Sequence, residues 1–186
     1  MTRTSLVRTD RYSWGAIWLH WSIAFLVLVN LVLGLFHESL LDGIGWVMPI
    51  HRSIGLAVLA LTLVRLAWRL GHRPPRLPPH VAGWERPAAR VAHWVFYILL
   101  LALPLTGWML SSSPARVRPM AWFGPFPIPP LPISGGAATL GHQVHGVLGY
   151  VMLALVVLHI AAALRHHFML RDAVLGRMAP GLIRNG

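Results

Sequence analysis

Four apolar runs, expected at 14–36, 50–70, 90–111 and 141–167, leave this chain few ways to fold. A helix needs about 20 mostly apolar residues to cross a hydrocarbon core about 30 Å thick, and a spanning segment must satisfy its backbone hydrogen bonds internally. The runs therefore predict four transmembrane helices forming one membrane domain over 1–186, an all-α integral membrane bundle. With 56% of 186 residues apolar, little of the chain is left for a soluble domain. The first run is too long for a signal-peptide core and lacks an A-x-A exit, so it reads as a retained span. Pro104, inside the third run, kinks a membrane helix without having to end it.

Basic residues outnumber acidic ones sixteen to five, and every one is arginine. Such an excess would suit nucleic acid if it formed a patch, but the arginines sit mainly in the tails and connections, where membrane topology accounts for them. Arg3, Arg8 and Arg11 precede the first span, Arg73, Arg76 and Arg86 follow the second, and Arg165, Arg171, Arg177 and Arg184 end the chain. The connection 37–49 has no arginine, and 112–140 has only Arg116 and Arg118. By the positive-inside rule both termini are cytoplasmic and 112–140 is periplasmic. That outer loop carries seven prolines between Pro114 and Pro132, together with Trp122, Phe123 and Phe126. Loops of this length are commonly functional, so the aromatics either shape a donor or quinone site or rest on the interface. Trp14, Trp46 and Trp94 read as interfacial belt residues.

Histidine gives the spans their chemistry. His145 and His159 lie fourteen positions apart in the fourth run. Fourteen residues of helix fall about 40° short of four turns and rise about 21 Å, which puts both imidazoles on nearly one face at two depths. His20, in the first span, shares the inner depth with His159. His51, at the start of the second, shares the outer depth with His145. The chain has no cysteine, which excludes disulfides, thiolate-held clusters and covalent C-x-x-C-H haem attachment. Bare zinc or copper usually recruits a third or fourth ligand, and none is level with either pair. Two level histidine pairs therefore point to two non-covalent b-type haems, with His20 and His159 on the inner iron and His51 and His145 on the outer.

Other polar residues keep two readings each. His142, one turn from His145, is the alternative outer ligand, although it points further from His159 around the helix. His93 is either a quinone or proton-handling residue or an interfacial one. His166 and His167 sit at headgroup depth, and His37, His72 and His80 lie in connections. Arg65 and Arg69, one turn apart near the inner haem level, either hold haem propionates or snorkel to the headgroups, and Arg52 has the same two readings at the outer level.

The paired histidines occur with T-L-V-R-L-A-W-R-L ending the second span, L-P-L-T-G-W in the third and L-H-I-A-A-A-L-R-H-H in the fourth. In that combination the chain resembles the bacterial cytochrome b-561 family from about Tyr12 to Arg177. The resemblance implies a four-helix di-haem b protein of the bacterial inner membrane, with haem ligands on helices one, two and four matching His20, His51, His145 and His159. It implies a quinone partner as well. One branch resembles superoxide oxidase, which takes electrons from superoxide at the outer face and reduces ubiquinone to ubiquinol. Arg52, Arg116 and Arg118 are then candidates to steer the anion. The family is also related to the cytochrome b subunits of nickel-iron hydrogenases and formate dehydrogenases. Two further functions therefore stand beside the enzyme: a subunit passing electrons between a separate periplasmic or dehydrogenase partner and quinone, and a non-catalytic haem-binding membrane protein.

Overall fold

The computed structural model describes residues 11–72, 83–116 and 118–182. Arg3, Arg8, Arg73, Arg76, His80 and Arg184 lie outside them. Four helices dominate: α1 (Trp14–Phe36), α2 (Val47–Gly71), α3 (Glu85–Ser111) and α4 (Gly135–Leu164). Each is long and apolar enough to cross a membrane. A small antiparallel hairpin, β1 (Met120–Trp122) and β2 (Phe126–Ile128), lies between α3 and α4 with Met120 paired to Ile128.

Three helices begin earlier than their apolar runs, for local reasons. In α2 and α3 a proline, Pro49 or Pro87, occupies the third helical position. The first four N–H groups of a helix have no intrahelical acceptor, so proline forfeits nothing there. Glu85 adds a carboxylate to the first turn of α3, where the helix dipole favours it. In α4, Ser134 caps the N-terminus by accepting from the Ala137 N–H at 3.2 Å, which carries the helix through Gly135 and Gly136. At its far end α4 widens into a π-helical turn, Arg165–Leu170, closed by Arg171 in the left-handed conformation with φ of 51°.

Packing runs α1 on α2, α2 on α3 and α3 on α4, with sparse contact between α1 and α4. The interior is a narrow apolar seam that includes Ile23, Leu33, Val47, Ile54, Val58, Leu99, Leu100 and Met152. Large apolar side chains such as Trp18, Phe25, Leu63, Ile98, Val147, Val157 and Leu158 face outward. In water that surface would be a liability; in a bilayer it is the solvated face.

The two ends of the bundle differ. At one, the Tyr12 N–H donates to the Arg177 carbonyl at 3.4 Å and Trp21 Nε1 donates to the Met178 carbonyl at 2.8 Å, which brings the two terminal segments together. At the other, Ser53 fastens the hairpin to α2: its hydroxyl is 2.9 Å from the Ala121 carbonyl and accepts from the Phe123 N–H at 3.1 Å. Trp108 of α3 and Ser112, the residue after that helix, hold the chain just past the hairpin through the Pro129 carbonyl and the Leu131 N–H.

Candidate functional site: two facing histidine pairs

The bundle brings the four histidines together in the two pairs expected from their spacing. At the end carrying the termini, His20 of α1 faces His159 of α4 with ring centres 6.3 Å apart. At the hairpin end, His51 of α2 faces His145 of α4 with centres 6.1 Å apart. Because α4 is continuous between His145 and His159, the two levels are separated by about 21 Å of helix rise.

Those separations have a chemical meaning. An imidazole nitrogen lies about 1.1–1.2 Å from its ring centre and a metal–imidazole bond is about 2.0 Å, so two rings on opposite sides of one metal have centres about 6.3 Å apart. Both pairs meet that figure without a direct hydrogen bond between the rings. Among the described residues no group of three or more histidine or acidic side chains converges as a bare metal ion would require. Two ligands alone suit an iron whose other four positions are filled by a macrocycle.

The outer pair is held by backbone. His51 Nδ1 lies 3.2 Å from the Asn30 carbonyl of α1, and His145 Nδ1 lies 3.0 Å from the Leu103 carbonyl and 3.2 Å from Thr106 Oγ1 of α3. A carbonyl only accepts, so each Nδ1 carries the proton and each Nε2 is left with its lone pair available to a metal. Glycine makes the room. A Cβ on Gly34 would come within 2.8 Å of His51 Cε1, and one on Gly107 within 3.2 Å of His145 Cε1. Thus the glycine of L-P-L-T-G-W clears His145, while the turn before it supplies the ring's acceptors.

Beside this pair lies a cavity of about 580 Å³, within the range of small-molecule and cofactor sites. Gly34, Gly55, Gly107, Gly146 and Gly149 all line it, and an added Cβ at Gly146 or Gly149 would meet no neighbour within 4 Å. Walls so stripped of side chains accept a flat group edge to edge. Asn30, also on the wall, keeps a buried amide oxygen with no protein partner. His142 lines the same cavity as His145, but the ring facing His51 is that of His145.

The inner pair has different neighbours. His93 of α3 lies 6.4 Å from His159, ring centre to ring centre, and Phe96 lies 5.3 Å from it. Arg65 Nε donates to Tyr97 Oη at 3.4 Å and its Nη1 to the Ala16 carbonyl at 3.2 Å, one helical turn before His20. Arg69 sits over the Tyr97 ring at 5.9 Å. Among the described residues neither arginine has a carboxylate partner: Glu85 pairs with Arg165, Asp172 with His166, and Glu38 with His37.

The outer arginines divide. Arg52 and Arg118 line the cavity, whereas Arg116 is exposed and away from its wall. Trp122, Phe123 and Phe126 are all exposed on the hairpin. Asn30, Leu103 and Thr106 as ring partners, Gly34 as the clearance for His51 and Tyr97 as the partner of Arg65 are not legible in the sequence. Gly34, one turn after Asn30, is a sequence signal that could have marked the cavity wall.

Comparison with known proteins accords with this layout. The prokaryotic cytochrome b561 family matches residues 11–181. The chain is 32% identical over 173 residues to "Cytochrome b561 homolog 2" of Escherichia coli strain K12, covering 91% of each protein. It is 31% identical over 179 residues to "Probable superoxide oxidase CybB" of Yersinia pestis, covering 91% of this chain and 96% of that one. It is also 32% identical over 172 residues to "Cytochrome b562" of Cereibacter sphaeroides, covering 87% of this chain and 90% of the relative. The match takes in all four helices and all four facing histidines: the chain belongs to the prokaryotic cytochrome b561 family.

Proposed function

We propose that this membrane cytochrome is a superoxide:ubiquinone oxidoreductase of the bacterial inner membrane, with His20 and His159 holding an inner haem b and His51 and His145 an outer one. Family membership makes it an electron-transfer protein and implies b-type haem. The observation that carries the finer reading is the pair of facing histidine couples, at 6.3 and 6.1 Å, on two levels of one continuous helix. Bound haem supplies reversible one-electron exchange at each iron. The helices fix the imidazoles at the spacing such an iron needs, the Asn30 and Leu103 carbonyls set the tautomer of the outer ligands, and the apolar seam keeps water from the path between levels.

Stoichiometry supports two one-electron centres. Two superoxide anions become two molecules of dioxygen and release two electrons. One ubiquinone takes up those two electrons and two protons to become ubiquinol. The superoxide assignment is supported by the resemblance to the probable superoxide oxidase and by the exposed Arg116, whose charge attracts an anion to the outer face. Placing the termini in the cytoplasm follows from the arginine distribution.

The test is the visible spectrum of the purified protein during superoxide generation, with haem per chain measured on the same sample and ubiquinone added afterwards. Two b haems that reduce with superoxide and reoxidise with quinone are the expected result. Two haems that respond only to dithionite would overturn the enzyme reading and leave an electron-transfer subunit serving a separate donor.

A further inference from the structure

Two cations line the outer cavity. Arg52 lines it from the first turns of α2, and Arg118 from the segment between α3 and β1. They lie within each other's electrostatic reach. Each is steadied by a neutral acceptor: Arg52 Nη1 donates to the Pro119 carbonyl at 3.0 Å and Arg118 Nη1 to the Leu110 carbonyl at 3.3 Å. Glu38, His37 and His142 also line the cavity, yet Glu38 is mostly exposed and its partner, at 3.4 Å, is His37. Among the described residues, then, no carboxylate of this chain neutralises either arginine. Two like charges held together at the edge of an apolar cavity repel each other unless an anion sits between them.

The backbone bonds explain why both arginines stay there. Pro119 adjoins Met120, the first residue of β1, and Ser53 beside Arg52 pins the same strand through Ala121 and Phe123. Arg118 is anchored on its other side by its own N–H to the Ser111 carbonyl at 3.0 Å. Both arginines are therefore placed by helix and hairpin together, on the wall of the cavity that His51 and His145 also line. An arginine fork recognises a carboxylate through parallel charge-assisted bonds.

We propose that Arg52 and Arg118 form one carboxylate-binding site that holds a propionate of the outer haem, so that the haem clamps the hairpin segment onto α2. This rests on the di-haem reading above. It takes these two arginines out of the pool that steers superoxide, because their guanidinium groups are occupied by the propionate, and leaves Arg116 for that role.

The experiment compares the full-length wild type, Arg52→Gln, Arg118→Gln, the double variant and Arg116→Gln in detergent. Haem per chain is measured first, then the rate of haem transfer to apomyoglobin, then chymotryptic cleavage at the hairpin aromatics before and after haem loss. Losing one charged hydrogen-bond donor should speed release of one of the two haems about tenfold, with the other haem's rate unchanged. Hairpin cleavage should be slow in the loaded wild type, and fast both after haem loss and in the loaded double variant. Arg116→Gln should release haem at the wild-type rate. Variants that keep both haems at wild-type release and cleavage rates, while superoxide reduces them more slowly, would overturn the proposal and return both arginines to anion steering. A wild type carrying fewer than two haems would instead overturn the di-haem reading itself.

Discussion

Replacing Gly34 by alanine sets two physical effects against each other and separates the fold from the site. In a helix interior alanine is favoured over glycine by about 0.5–1 kcal/mol, so α1 itself should gain slightly from the change. The new Cβ, however, would lie 2.8 Å from His51 Cε1 and 3.3 Å from Nδ1. Carbon atoms settle at about 3.5–4.0 Å, so the ring must retreat by about 0.7–1.2 Å. It has little freedom to do so, since Nδ1 is already 3.2 Å from the Asn30 carbonyl and further stretching ends that bond. Metal–ligand distances tolerate about 0.2 Å, several times less than the required shift. Disturbing one bond that orients a metal-binding histidine typically costs about 10–100-fold in affinity, and Gly34→Ala moves the ligand as well. The purified variant should therefore carry about one haem per chain instead of two by pyridine haemochrome assay, with helicity and yield preserved. Gly107→Ala, whose Cβ would stand 3.2 Å from His145, should weaken the same site less. Gly45→Ala, with open space around its Cβ, should change nothing. Full haem content in Gly34→Ala would refute the assignment of His51 as a ligand in this orientation.

Other perturbations test the same geometry. His20→Ala and His159→Ala should each remove the haem of one spectral signature, and His51→Ala and His145→Ala the other; loss in any different pairing would break the level-by-level assignment. Thr106→Val removes one of two acceptors near His145 Nδ1 and leaves the Leu103 carbonyl. It should retain both haems and shift one midpoint potential by about 20–65 mV, the one-electron equivalent of a bond worth about 0.5–1.5 kcal/mol. Ser53→Ala cuts the tie between α2 and the hairpin, so chymotrypsin should cleave near Phe123 several-fold faster; an unchanged rate would show that Ser112 and Trp108 suffice.

The membrane bundle and its histidine levels were legible because they depend on two simple periods: the length needed to cross a bilayer, and the fourteen-residue interval between His145 and His159. Helix starts were less legible because hydropathy carries no information about caps: Ser134 extends α4 by six residues ahead of the expected start, and Pro49 and Pro87 sit harmlessly in first turns. The hairpin escaped notice because a segment with seven prolines reads as irregular. Yet Pro125 lies in the turn and Pro127 is paired with Ala121 in a two-stranded ribbon that has edges to spare. His93 beside His159, and Arg65 reaching back to Ala16, depend on which faces of separate helices meet, and no periodicity along one chain encodes that.

The two levels also differ in a way that bears on the order of their potentials. At the outer level each ligand donates its Nδ1 proton to a backbone carbonyl, which makes the imidazole a stronger donor to iron and favours the oxidised state. Arg52 and Arg118 carry two positive charges, which the two propionates of one haem would balance. At the inner level Arg65 reaches the Ala16 carbonyl, one turn from His20, and Arg69 sits over the Tyr97 ring; two propionates would balance this pair of charges equally. Fixed positive charge in a low-dielectric setting favours the reduced, less positive iron. With the fixed charges matched at the two levels, the Nδ1 bonds of His51 and His145 are the remaining difference, so the expected order is a higher potential for the His20–His159 haem. A spectroelectrochemical titration of the wild type and of Arg65→Gln tests this: the variant should lower the potential of the haem that His20→Ala removes and leave the other in place. If the haem lost with His20 proves to be the lower-potential one in the wild type, the Nδ1 bonds do not set the order of the potentials.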